Sequence, residues 1–129
     1  MNQYLLDTHT LIWWVDNSDK VSPKVRKILS NTSNICYFSL ASSWEMSIKS
    51  SIGKLKLSVS VCDYVVQHLS LNDFKQLNIT LNHVTAVESL PWHHRDPFDR
   101  LLLAQAIQEK LVILSADTMF DRYDIKRIW

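Results

Sequence analysis

A single glycine, Gly53, serves all 129 residues. A P-loop, a G-x-G-x-x-G dinucleotide turn and any Gly-rich phosphate cradle need several glycines close together, so none of them can be built here. An all-β fold resting on tight type I′ turns is disfavoured for the same reason. The length suits one domain, residues 1–129, large enough to bury a core. Hydrophobic residues at 47% and charged residues at 21% match a folded soluble chain rather than a disordered one.

Short apolar runs alternate with helical patterns. Residues 4–6, 35–38 and 111–114 read as buried strands, with weaker ones at 76–79 and 126–128. Between them lie helical segments at 8–15, 23–29, 40–51, 58–69, 81–90 and 97–110, and a turn of helix after Asp117. Ser22-Pro23 and Asp96-Pro97 are each an N-cap followed by proline at the first helical position. Ser39 caps the third helix, and Gly53 falls just past its end. Strands alternating with helices predict an α/β fold, a three-layer α/β/α sandwich around a central parallel sheet.

The net charge of +1 marks no global affinity for nucleic acid, so any such binding must come from a local patch. The longest strictly apolar run, residues 11–15, is far short of the ~20 residues a membrane span needs. Cys36 and Cys62 form no C-x-x-C, and the N-terminus carries no signal pattern. They read as free, buried thiols of a reducing cytoplasm. The five tryptophans, Trp44 among them, read as core or interface anchors, as do Tyr37 and Phe38. The cluster Trp13-Trp14-Val15 is alternatively a self-association surface.

Ligands of open α/β sheets bind outside the carboxyl ends of the strands. Asp7 ends the first strand and Asp117 follows the fourth, so parallel strands bring both to one edge. Two further acids sit on apolar helix faces. Asp99 shares a stripe with Leu102, Leu103 and Ala106, and Glu45 one with Ala41 and Ile48. Each has a plainer explanation: a loop or cap for Asp7 and Asp117, the helix N-terminus for Asp99, and an i,i+4 pair with Lys49 for Glu45. As a set they say more. Two carboxylates about 5 Å apart repel by roughly 3 kcal/mol at an effective dielectric of about 20. Four together must take up protons or hold a cation. An all-oxygen set with open positions suits Mg²⁺ or Mn²⁺ and a phosphate-bearing substrate.

The segments that carry these acids are Leu5-Leu6-Asp7-Thr8-His9, Ser43-Trp44-Glu45 with Ile48-Lys49, the long run from His94 through Asp99 to Ala106, and Ser115-Ala116-Asp117 followed by Phe120. Together they resemble the PIN-domain ribonucleases, and among them the VapC-like toxins of type II toxin–antitoxin pairs. The resemblance spans essentially the whole chain, and the third segment is its most specific part. It implies a metal-dependent endoribonuclease in which Asp7, Glu45, Asp99 and Asp117 hold Mg²⁺ or Mn²⁺ and catalyse cleavage of structured RNA to 3′-hydroxyl and 5′-phosphate ends. It also implies a homodimer and an antitoxin that lays a peptide over the acidic pocket. Around the fourth acid the family often has further polar residues; here they are only Ser115 and Thr118.

Other residues carry secondary expectations. Asp96 reads as a helix cap rather than a ligand, and Thr8 and Ser115 as caps or supports for the neighbouring acids. Arg95, Arg100 and Lys49 are the expected RNA contacts, with Lys54 and Lys56 in a second basic group. His93 and His94 precede Asp96 in a loop and could touch substrate or metal; loop histidines are the preferred reading, since no third ligand spacing supports zinc. His9 belongs to packing or to the rim of the site. A non-catalytic RNA- or protein-binding module, or a housekeeping nuclease without an antitoxin, remain the alternative functions.

Overall fold

In the computed structural model, which describes residues 2–129, Gln3–Leu6 forms the central strand β1 of a five-stranded sheet. The others are Ile35–Ser39 (β2), Lys75–Leu77 (β3), Val112–Leu114 (β4) and Arg127–Ile128 (β5). Their order is β3-β2-β1-β4-β5 and every pairing is parallel. The helices are Thr8–Val15 (α1), Pro23–Ser30 (α2), Leu40–Ser51 (α3), Val61–Asn72 (α4), Leu81–Ala86 (α5) and Pro97–Glu109 (α6). No helix among the described residues is long and apolar enough to cross a membrane.

Side chains alternate along β1, and both faces are buried, as the centre of a parallel sheet requires. Tyr4 and Leu6 face a core built with Leu11 of α1, Val25 and Leu29 of α2, and Tyr64, Val65 and Leu69 of α4. Leu5 faces the opposite core, with Leu102, Leu103 and Ala106 of α6. The sandwich expected from the sequence therefore forms. Cap chemistry sets several element ends. Ser22 Oγ accepts from the Val25 main-chain N–H at 3.1 Å, and Asp96 Oδ1 accepts from those of Phe98 and Asp99 at 2.9 and 3.2 Å. Gly53, at φ 75°, takes the left-handed conformation just beyond α3 that side-chain-bearing residues resist.

Some boundaries differ from the sequence pattern, each for a local reason. The fourth helix, expected from residue 58, begins at Val61 because Ser60 caps it, its hydroxyl accepting from Asp63 N–H at 3.1 Å. The expected helix over 81–90 stops at Ala86 and continues only as a 3₁₀ turn, Val87–Ser89. Leu90 is extended before Pro91, and the carbonyls of Val87 and Leu90 turn instead to the Arg100 guanidinium. The edge strand β3 begins and ends slightly earlier than the pattern indicates, in register with Tyr37 to Ser39 of β2. Trp44 is 58% exposed and Trp92 75% exposed, so neither anchors a core within the chain. Cys36 is buried, which pushes its thiol up to about 11, but Cys62 lies on the exposed side of α4, not in the core.

Candidate active site

The order of the sheet decides where a site can form. The chain leaves β1 toward β2 on one side, and β4 is inserted on the other, so the crossovers diverge at the carboxyl ends of β1 and β4. Asp7 stands at that point, its main-chain N–H donating to Leu114 O at 3.1 Å. Asp117 is three residues beyond β4. Glu45, 5% exposed, comes from the second turn of α3, and Asp99 from the first turn of α6. These four acids line one cleft of about 360 Å³, together with Asp96, Lys49 and the His9, Thr10 and Trp13 side of α1.

Two hydroxyls hold the acids in place. Ser115 Oγ donates to Asp7 Oδ2 at 2.7 Å and accepts from the Asp117 main-chain N–H at 3.0 Å, tying the two strand ends together. Thr8 Oγ1 donates to Glu45 Oε1 at 2.6 Å. Asp7 Oδ1 accepts from the Thr8 main-chain N–H at 2.7 Å, so Asp7 also caps α1. The plainer reading of Glu45 holds alongside the functional one: Lys49 Nζ pairs with Glu45 Oε2 at 2.9 Å, one helical turn on.

One of the two histidines preferred as loop residues joins the cluster. His94 Nε2 lies 2.9 Å from Asp99 Oδ2 and 3.1 Å from Asp117 Oδ2, bridging two of the acids. Its Nδ1 accepts from the Asp96 main-chain N–H at 3.3 Å, which leaves the ring proton on Nε2, where it faces both carboxylates. The loop that presents it is pinned from far along the chain. Tyr123 Oη accepts from His94 N–H at 2.7 Å and donates to Pro91 O at 2.8 Å. The adjacent His93 points elsewhere, its ring edge-on to Tyr123.

Crowding of like charge shows in the proton affinities. Burial, and after it the fields of Asp7, Asp96, Glu45 and Asp117, push Asp99 up to about 8. Burial also raises Asp7, against the lowering effect of the Ser115 and Thr8 bonds. An acid raised above its unfolded value of 3.8 binds its proton more tightly in the folded chain. Its contribution is thus full below about pH 4, lost as pH rises toward 8, and level above that. The expected result is that chelator-treated protein melts at a lower temperature at pH 8 than at pH 5. A melting temperature that rises from pH 5 to pH 8 contradicts it.

The PIN domain family model matches residues 4–126. The chain belongs to the PIN domain family. No curated protein sequence matches it. Several solved structures share the PIN domain's fold at low identity. The VapBC2 complex of Rickettsia felis, bound to a promoter DNA fragment, superposes with a TM-score of 0.72 at 14% identity, covering 98% of this chain and 97% of that one. The DNA-bound VapBC of Salmonella typhimurium gives 0.68 at 17% identity, over 99% and 98% of the chains. A toxin–antitoxin complex from Klebsiella pneumoniae gives 0.64 at 15% identity, over 98% and 96%.

The remaining expected site residues of this PIN domain separate into two groups. Asp96 lines the cleft and caps α6, Thr8 and Ser115 support acids, and Lys49 stands on the cleft wall bonded to Glu45. Arg95 is exposed in the loop before α6. Arg100 is different, and its expected role as an RNA contact is overturned. It is 2% exposed, and both terminal nitrogens are spent on main-chain carbonyls. An arginine beside the acids reads as a phosphate ligand in sequence, because nothing local reveals that the preceding loop wraps around it.

Proposed function

We propose that this PIN domain is a divalent-cation-dependent endoribonuclease and the toxin of a VapBC-type pair. The observation that carries the reading is the convergence of Asp7, Glu45, Asp99 and Asp117, from four separate segments, in one cleft at the divergence point of the sheet. The donor set fits a hard cation. Carboxylate oxygens dominate it, and burial together with the neighbouring carboxylates pushes Asp99 up to about 8, a crowding that a bound cation relieves. Such a cation, Mg²⁺ or Mn²⁺, supplies Lewis-acid charge that favours attack of water on a phosphodiester.

The chain's own groups prepare that reaction. Ser115 and Thr8 fix the carboxylates of Asp7 and Glu45, so little reorganisation is left for the reacting state. Lys49, on the cleft wall, and the exposed Arg95 are the cations this reading assigns to the RNA backbone. The complexes named above are toxin–antitoxin assemblies, which supports a cognate antitoxin as partner for this chain. A homodimer and a cytoplasmic location complete the proposal, the latter in keeping with two unpaired cysteines.

The deciding experiment incubates total bacterial RNA with the purified chain in Mg²⁺, in Mn²⁺ and in chelator. Discrete fragments with 3′-hydroxyl and 5′-phosphate ends, formed only with cation, are expected. Intact RNA in every condition, from a preparation shown by mass to be free of a second protein, overturns the nuclease and favours the binding-module alternative.

A further inference from the structure

Hydroxyls link three of the four acids. Thr8 Oγ1 donates to Glu45, Ser115 Oγ donates to Asp7, and Ser115 Oγ also accepts from the Asp117 main-chain N–H. Asp99 arrives separately, on α6. The side chain that joins it to the others is His94, whose Nε2 is 2.9 Å from Asp99 Oδ2 and 3.1 Å from Asp117 Oδ2. A continuous series of bonds then runs from Glu45 through Thr8, Asp7, Ser115 and Asp117 to Asp99. The ring itself is fixed from several directions. The buried Phe120 ring meets it at 5.9 Å, inclined at 52°. On the main chain, His94 N–H donates to Tyr123 Oη at 2.7 Å and His94 O accepts from Arg100 Nη1 at 3.3 Å.

His94, Asp99 and Asp117 lie close enough together to be three ligands of one cation. The ring nitrogens argue for a different role. Histidine ligates a metal through a nitrogen that carries no proton. Nδ1 accepts from the Asp96 main-chain N–H at 3.3 Å, so the ring proton sits on Nε2. A nitrogen that donates to two carboxylates has no lone pair for a metal. It does what donors beside metal sites do, which is to orient the ligands. Each carboxylate oxygen that accepts one N–H still has a lone pair for a cation. Resting on the cation-dependent nuclease reading of this cleft, we propose that His94 is a positioning residue. Its Nε2–H holds Asp99 and Asp117 at the spacing the cation needs, and His94 does not itself bind the cation.

The probe is Mn²⁺ alone, titrated by calorimetry into the metal-free chain. His94→Asn keeps an acceptor in the place of Nδ1 but has nothing that reaches the acids. It is expected to weaken Mn²⁺ binding about 10–100-fold, the usual loss for a group that orients a metal ligand. His94→Gln puts an amide N–H in the place of Nε2 and should restore most of the affinity. Equal affinity in wild type and both variants, or an equal loss in both variants, overturns the proposal. So does a directly bonded nitrogen in the electron-spin-echo spectrum of the wild-type Mn²⁺ complex that vanishes in His94→Asn, because it makes His94 a ligand. Melting curves accompany each variant. If His94→Asn unfolds, Tyr123→Phe takes its place, removing only the hydroxyl that holds the loop. It should weaken Mn²⁺ binding several-fold, and wild-type affinity there overturns the proposal. Wild type that binds no Mn²⁺ overturns both this proposal and the cation-dependent reading. Wild type that binds Mn²⁺ but leaves RNA intact overturns the nuclease reading alone.

Discussion

Asp7→Asn is expected to lower RNA cleavage at saturating Mn²⁺ by at least about 10²–10³-fold, the usual scale for removing one preorganised group that meets developing charge. Asparagine keeps the shape of the side chain. Its carbonyl oxygen can still accept from the Thr8 main-chain N–H, now bonded at 2.7 Å, and its amide can donate to the Ser115 hydroxyl. What disappears is a negative charge that burial already disfavours. The metal-free variant should therefore melt no lower than wild type at pH 8, while its Mn²⁺ affinity by calorimetry falls. Loss of activity together with loss of the fold means that Asp7 acts as the cap of α1 alone. Full activity with an intact fold removes it from the site.

Much of this centre was legible because each acid breaks a local rule. Asp7 directly follows one apolar strand and Asp117 stands three residues past another, and Glu45 and Asp99 occupy apolar helix faces, where solubility asks for no charge. Parallel topology then brings the four together, and topology itself follows from the strand–helix alternation. The residues that escaped depend on contacts distant in sequence. His94 reaches two acids because Tyr123, twenty-nine positions on, and Arg100 together hold its loop. The helix expected from residue 58 starts at Val61, because the apolar period does not mark which serine caps it, and Ser60 does. Size alone makes Trp44 read as a core or interface anchor. In the structure its ring meets Phe98 edge-on at 5.0 Å and stays largely exposed.

Arg100 shows the cost of reading charge without burial, and its substitution has the largest expected effect on stability. Nη1 donates to Pro91 O at 2.9 Å and His94 O at 3.3 Å, and Nη2 to Val87 O at 3.1 Å and Leu90 O at 3.2 Å. The Trp92 ring covers the guanidinium at 3.9 Å. One planar fork thus satisfies four carbonyls of the segment 87–94, including those at the end of the 3₁₀ turn, where a cation is favourable. Arg100→Met fills similar volume but strands the carbonyls of Leu90 and His94, while Pro91 O keeps Tyr123 Oη and Val87 O keeps the Leu90 main-chain N–H. The expected destabilisation is about 2–6 kcal/mol, two buried acceptors left unsatisfied at about 1–3 kcal/mol each, or roughly 7–20 °C in melting temperature. The loop carrying His94 loses its anchor at the same time, so cation affinity should fall although Arg100 lines no part of the cleft. Arg100→Lys rescues little, because a single ammonium has three donors and no planar spread. A phosphate contact behaves otherwise: the variant keeps its melting temperature, and the salt dependence of RNA binding drops by about one unit of slope. That outcome returns Arg100 to the RNA-binding surface and refutes the structural role.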